Sequence, residues 1–581
     1  MKDHVLKFYR LFFVIFLLST YTLTGITSFI EDDPAHDQLP PSILPVIILQ
    51  GSDYQMGFQY GCQAAAFINM TKESKWASSL EHFNREEVIK ALKANQIFIK
   101  SYTPEWIDFM KGMAEGVRSK GFQMTYIDIL LINCTLPDPE TTPYPPGTEI
   151  VTLPPKHCSV CSAWGGSTKD GHLIGIDTLD SSEVPHAVVI AAFPNKGNAY
   201  ICGADAGEIG DHFLMNNKGL FIGNSGGGGS PRHEDSGYGL AWSCSLPYLA
   251  RFSDNAVEAR DRLVKWQINI PENFHFVDTR GNAFVVEKTA ALQCVRKSGD
   301  FGEKDFLFST NNYLCEKMKP TKEGEFIGAH GGYGAYSAPR NKFIWDMLHN
   351  YHGKIDIDFA KMILRFPGSP PPYPPQGGWD AVFCRPTNLW TAVVMPDNGN
   401  NGTAYICTGP VGKILHASIA SDGSVMQPIY KYIDGTHTFY RLLLAEDPLS
   451  MAESAHDNAG DDISAAYSQL MLLNYSDPGY FGLNSLYGKA VREYFEGINF
   501  LNKARLTEAD DSLFYLSKAV TYFTRSQAHA RQVYEELVPP PTSPSDLGLN
   551  PFGGDWAEWE TRIGLRMDLI PALLKKAKDE H

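Results

Sequence analysis

Basic clusters are missing from this sequence. Its 581 residues carry 50 Lys and Arg against 66 Asp and Glu, a formal net charge of −16. A nucleic-acid partner, which needs cations to neutralise phosphates, is therefore excluded. Cysteine is sparse: ten residues, scattered along the chain, are too few for a disulfide scaffold. His157-Cys158-Ser159-Val160-Cys161 has no second Cys-x-x-Cys or His pair to complete a zinc site, and it lacks the helix start of a thioredoxin-like redox pair. The glycine run 226–229 is not followed by Gly-Lys-Ser/Thr, so it reads as a loop rather than a phosphate cradle. No metal or cofactor is expected. Beyond residue 30 no stretch is apolar enough to span a membrane.

What is present starts at the N-terminus. Lys2, Lys7 and Arg10 precede the apolar run Leu11–Leu18, the pattern of a signal peptide over residues 1–30. Read generously it is an anchor, diluted by Ser19, Thr20, Thr22 and Thr24. A secreted or lumenal location (periplasmic in a bacterium) follows, with membrane contact only through this segment if it stays uncleaved. Asn69, Asn133, Asn401 and Asn474 head glycosylation triplets.

From Ile47 a strand turns at Gly51 into a helix bearing Gly57 and Gly61, whose spacing implies close packing on another backbone. Helical periodicity continues through Glu86–Tyr102 and Trp106–Lys120. A proline-rich linker, residues 136–156, leads to Cys158. From there a strand, a turn at Lys169-Asp170-Gly171 and a returning strand His172–Ile176 place Asp177, Thr178 and Asp180 beside the hairpin mouth. Further strands are expected at Ala187–Phe193, Ala199–Cys202, Gly219–Gly223, Phe274–Asp278, Ala283–Glu287, Phe306–Ser309, Leu389–Met395 and Thr403–Thr408, with helices at Asn255–Trp266 and Arg340–His349. This is the order of a layered α/β sandwich. Beyond Gly412 strand texture fades into helices at Ile463–Leu473, Gly488–Asn502, Asp511–Leu537 and Trp556–Lys578, with a structural or docking role. The organisation is a leader (1–30), a pro-segment with its linker (31–157), a catalytic segment (158–411) and a helical extension (412–581).

A cleavable linker before a cysteine at a hairpin mouth is the layout of an enzyme that frees its own nucleophile. A cut before Cys158 leaves an α-amino group of pKa ~8 beside the thiol as its base. The thiol can make that cut itself by an N-to-S acyl shift followed by hydrolysis. Asn224 and Asn311 (or Asn312), at strand ends, are candidate oxyanion donors. Cys161 is a rival nucleophile; in an extended strand it points away from Cys158, so only one of them serves. Each residue also has a plainer reading. A strand cysteine is usually a small buried hydrophobe, Asp180 a turn residue, the asparagines αL fillers, and Arg340 a surface charge at a helix start.

Together the motifs resemble the C45 peptidase family, autoproteolytic acyltransferases and hydrolases related to isopenicillin N acyltransferase in the N-terminal-nucleophile superfamily. The resemblance rests on Gly51-Ser-Asp-Tyr54-x-x-Gly57-x-x-x-Gly61, on Glu105 with Gly112, Ala114 and Gly116, and on Cys158-Ser159 through Trp164-Gly165 to Asp170-Gly171. Met215-Asn216-x-x-Gly219-Leu220, Thr310-Asn311-Asn312-Tyr313 and Ser337-x-x-Arg340 complete it. It implies a four-layer αββα Ntn-hydrolase sandwich, an α/β (α+β) fold, with a helical C-terminal extension. It further implies Cys158 as nucleophile and new N-terminus, Asp180 holding the amine or substrate, Asn224 and Asn311 at the oxyanion, and Arg340 as a structural or substrate-orienting charge. The substrate is expected to be a small acylated non-peptide amide or thioester, and the two fragments of the cut chain are expected to stay associated. The Arg of the family's Arg-Asn-x-Asp hairpin ending is missing from Asp177-Thr178-Leu179-Asp180, so substrate handling differs or activity is lost. Phospholipase B-like or choloylglycine-hydrolase-like activity and an uncut, inactive binding protein are the alternatives.

Overall fold

The computed structural model describes residues 44–136, 158–180, 186–227, 238–269, 271–290, 292–318, 333–366, 383–384, 388–397, 402–412, 414–416, 429–431, 438–472, 482, 485–507 and 509–541. The leader, nearly all of the proline linker and the helix expected at Trp556–Lys578 lie outside the described residues.

Two sheets form the centre. The first runs β1 (Val46–Gly51), β4 (Ala187–Pro194), β5 (Tyr200–Asp205), β6 (His212–Asn216), β7 (Leu220–Gly226), β8 (Glu272–Asp278), β9 (Ala283–Lys288) and β10 (Gln293–Lys297). In it β1 pairs parallel with β4 and the other neighbours are antiparallel. The second runs β11 (Phe306–Ser309), β2 (Ser159–Ala163), β3 (Ile174–Asp180), β12 (Asn388–Met395), β13 (Thr403–Thr408) and β16 (Tyr440–Leu443).

Alternation along the strands sorts side chains into layers. Val189, Ala191 and Phe193 of β4 meet Val160, Leu179 and Trp390 between the sheets. Val188, Ile190 and Ala192 face the helices Asp53–Gln63, Glu105–Ser119 and Trp242–Phe252 on the outside of the first sheet. Ile174, Ile176 and Val393 face the helices Tyr333–Asn350 and Ile357–Arg365 outside the second. Helix, sheet, sheet, helix: the fold is the αββα sandwich with a helical C-terminal region.

The paired glycine motifs have a physical reason. A Cβ on Gly57 would stand 1.9 Å from the Phe109 carbonyl oxygen, and one on Gly116 2.1 Å from that of Phe58. The helices Asp53–Gln63 and Glu105–Ser119 thus touch backbone to backbone, which no larger residue permits.

Several expectations need correction. The hairpin's first strand, expected to run eight residues from Cys158, covers Ser159–Ala163 because the chain makes a short 3-10 turn at Gly165–Ser167, and its second, expected at His172–Ile176, covers Ile174–Asp180. Strand structure does not end at Gly412: β14 (Ile414–His416), β15 (Ile429–Lys431) and β16 follow, and β16 joins the second sheet. Asn133 is buried, donating to the Ile129 and Gly207 carbonyls and accepting from the Ile209 amide, which leaves no room for a glycan. Among the described cysteines one pair, Cys294–Cys315, is a disulfide.

The helix Ala509–Leu537 closes the side where the edge strands β1 and β16 lie. Thr521 Oγ1 and Ser517 Oγ accept from the Val46 and Ile48 amides at 3.0 and 2.9 Å. The Gln527 side chain both accepts from and donates to the Arg441 backbone, at 3.0 and 3.2 Å. One edge of each sheet, otherwise a row of unsatisfied backbone groups, thus finds polar partners on the same helix.

Candidate functional site

Cys158 stands just before β2 and is 4% exposed. With Val160 it belongs to the layer between the sheets, whereas Cys161 lies in the outer layer, opposite Ile176 and Phe308. The two thiols do point to opposite faces. Burial pushes the Cys161 thiol far up. Burial also raises Cys158, but a hydrogen bond to His212 pulls the other way.

His212 is the residue that reading the sequence missed. It is buried at the start of β6, its Nδ1 3.1 Å from Asp177 Oδ1 and its Nε2 3.5 Å from Asp211 Oδ1. The second Asp177 oxygen accepts from the Phe213 amide at 2.8 Å, which fixes the carboxylate. A bulge makes this possible: the β5–β6 register shifts between Ile201 and Gly203, and Phe213 takes a φ of 40°. Bulges beside sites re-aim side chains, and a non-glycine residue at positive φ persists only when its surroundings hold it there. Gly203 makes the room, since a Cβ there would lie 2.4 Å from the Phe213 ring. Burial opposes charging His212; Asp211, Asp177 and the Cys158 bond outweigh it and hold the imidazole well above its ordinary range. The signal in the sequence was Asp211-His212 at the start of a mostly apolar strand, but which side chain it meets depends on the bulge.

Arg340 is not a surface charge at a helix start. It sits inside the helix Tyr333–Asn350, fully buried. Its Nη1 donates to the Cys158 carbonyl (3.2 Å) and Ser159 Oγ (3.0 Å), and its Nη2 to Asn311 Oδ1 (3.0 Å) and Ser337 Oγ (3.3 Å). One guanidinium therefore ties the first peptide of β2 to the loop carrying Asn311. That loop is held elsewhere too. Ser225 Oγ and Asn273 Nδ2 donate to the Thr310 carbonyl, Glu287 accepts from the Leu314 and Cys315 amides, and the disulfide anchors Cys315 to β10.

Asp180, at the end of β3, is hydrogen-bonded to Asn388 and close enough to bear on the Cys158 thiol, as is Glu272. Asn224 is placed differently from expectation. It lies within β7 opposite Phe274, a residue of the helical layer, whereas a Cβ at neighbouring Gly223 would meet Val160 across the sandwich at 2.6 Å. Strand alternation thus turns the Asn224 side chain away from Cys158. The structure brings Cys158, Asn311, Arg340 and Asp180 together, with His212 and Asp177 added and Asn224 left out. Among the described residues no group of His, Cys, Asp and Glu is arranged to hold a metal ion, and no helix is long and apolar enough to cross a membrane.

No known family profile matches the chain. A stretch of 190 residues is 30% identical to an uncharacterized protein of Archaeoglobus fulgidus, covering 30% of this chain and 31% of that relative. The chain thus spans about a third of the length of the curated relative it matches. Among solved structures it is similar to a Caenorhabditis elegans ortholog of N-acylethanolamine-hydrolyzing acid amidase, at 13% identity and a TM-score of 0.28, over 41% of this chain and 93% of that one. It is also similar to penicillin V acylase from Agrobacterium tumefaciens, at 12% and 0.28 over 43% and 82%. A mutant conjugated bile acid hydrolase from Clostridium perfringens is similar at 14% and 0.28 over 48% and 98%.

Proposed function

We propose that this chain is a cysteine amidohydrolase of the N-terminal-nucleophile kind. It cuts itself before Cys158 and then hydrolyses, or transfers the acyl group of, a small non-peptide amide or thioester through an acyl-enzyme on Sγ. The observation that carries this reading is the convergence at the start of β2: a thiol bonded to an imidazole, and its own carbonyl clamped by a buried guanidinium that also holds Asn311. A thiol 4% exposed suits a nucleophile whose first substrate is its own chain.

After the cut, the new α-amino group, pKa ~8, stands beside Sγ as base. Asp180 is its counter-charge, Asn311 Nδ2, one hydrogen of which goes to the Gly226 carbonyl, offers the other to the oxyanion, and Arg340 is the residue that orients β2 and the Asn311 loop. The fragments stay together because β1 of the first pairs along its whole length with β4 of the second. Entry into an oxidising secretory lumen belongs to the same proposal, and the Cys294–Cys315 disulfide supports it.

The test is the intact mass of the expressed full chain, followed by incubation with N-acylethanolamines, penicillin V and conjugated bile acids. A cut before Cys158 and an acyl adduct on that residue, releasable by hydroxylamine, are expected. A chain that stays whole and takes no acyl group from any of them is instead a binding protein.

A further inference from the structure

We infer that His212, oriented by Asp177, carries the proton during the self-cut, acting on the thiol before any α-amino group exists there. This rests on the reading of Cys158 as a self-liberating nucleophile. In the uncut chain the Cys158 nitrogen is an amide and cannot serve as a base. Arg340 has only donors, Asp180 has Oδ1 taken by Asn388, and Asp180 and Glu272 bear on the thiol through their charge rather than through a hydrogen bond. The imidazole is the group bonded to the thiol. Its orientation is over-determined: Asp177 takes Nδ1, Asp211 faces Nε2, and the Phe213 amide locks Asp177. A base whose ring is aimed by a carboxylate is the arrangement that activates nucleophiles generally. The strained Phe213 backbone and the space left by Gly203 are what this aiming requires.

The steps balance. The Sγ proton passes to the His212 imidazole as sulfur attacks the carbonyl carbon of residue 157. The bond from that carbon to the Cys158 nitrogen then breaks as the imidazolium returns the proton to the nitrogen, leaving a thioester and a free amine. Water hydrolyses the thioester to a carboxylate on residue 157 and the restored thiol, and the remaining proton goes to the new α-amine, of pKa ~8. No net proton is gained or lost by His212.

Because an imidazolium cannot accept a proton, the cut should accelerate as pH rises. The charged groups facing the pair are Asp177 and Asp211 on the ring, Asp180 and Glu272 on the thiol, and Arg340 on the Cys158 carbonyl.

The experiment follows the mass of full-length chain with time from pH 6 to pH 9 (about the range in which histidine and amines titrate). His212→Gln should slow the cut at least about a hundred-fold, and imidazole added to His212→Gly should restore it in proportion to its concentration. Asp177→Asn should move the pH profile of the cut downward, since the imidazole loses a carboxylate that raises it. A His212→Gln chain cut at the wild-type rate, alongside an uncut Cys158→Ala chain, overturns the role of His212 and leaves the nucleophile standing. A cut that persists in Cys158→Ala overturns both. Should the histidine variants not fold, an unshifted Asp177→Asn profile overturns the inference. Should wild type itself stay whole over the full pH range, there is no self-cut and the inference falls together with the reading of Cys158 on which it rests.

Discussion

Two histidines stand on the inner face of the first sheet, and each meets a nucleophile-type side chain of the hairpin. His212 on β6 bonds the Cys158 thiol, and His275 on β8 is 2.8 Å from Ser162 Oγ through its Nε2. Both rings are buried. Asp177 and Asp211 surround the first, and it sits high; the second has Arg296 nearby, and burial followed by that charge lowers it to about 3. His275 Nδ1 finds no hydrogen-bond partner among the described residues. The difference is in aim: a carboxylate holds the far ring nitrogen of His212, and no such group holds that of His275 among the described residues. The Ser162 pair is a built-in control for the Cys158 pair.

The largest expected effect separates the two pairs outright. Cys158→Ala should abolish both the self-cut and acyl transfer, whereas Ser162→Ala should leave each within about ten-fold of wild type, well short of what losing a general base costs; intact mass and acyl-adduct assays decide. Next is pH. The His275 value in the fold lies below its unfolded value, so its share of stability is fully present above pH ~6.5 and is lost as pH falls toward about 3. His212 is raised, so its share is present below pH ~6.5 and is lost as pH climbs through the raised value. Unfolding free energies of His275→Gln and wild type, from urea titration, should therefore diverge by up to a few kcal/mol above neutrality and converge in acid, the reverse of His212→Gln.

Arg340→Ala should destabilise by about 3 kcal/mol, the scale for charged hydrogen bonds left unmade in a core, and should slow the cut without altering Ser162 or His275. Chemical denaturation and mass measure the two effects. Smallest is the remote control. Ser517→Ala and Thr521→Val should each cost ~1 kcal/mol by unpairing an edge amide, with no change in the pH dependence that distinguishes the histidines.

Much of the scaffold was legible because it follows from local pattern. Alternation located β4, β8, β12 and β13, glycines four apart announced a backbone-to-backbone helix pair, and the opposite facing of Cys158 and Cys161 follows from strand geometry. The rest depended on register and distance. Asn224 looked like a loop residue because β7 runs past Gly223, and one residue of difference in a strand decides which face is seen. For Arg340 the residues alone allowed a surface charge, and only the family resemblance implied a structural or substrate-orienting one, because nothing local marks a guanidinium whose partners, Cys158 and Ser159, lie 182 and 181 residues away. His212 was hidden behind a bulge, which shifts register without leaving a distinctive composition.

The helix Ala509–Leu537 has a consequence for anyone who shortens this protein. Removing it would uncover β1 and β16, one edge of each sheet, and bare edge strands recruit other chains. A trimmed version that keeps every reactive group is therefore expected to precipitate or form assemblies rather than work, which makes the far end of the polypeptide a guardian against aggregation.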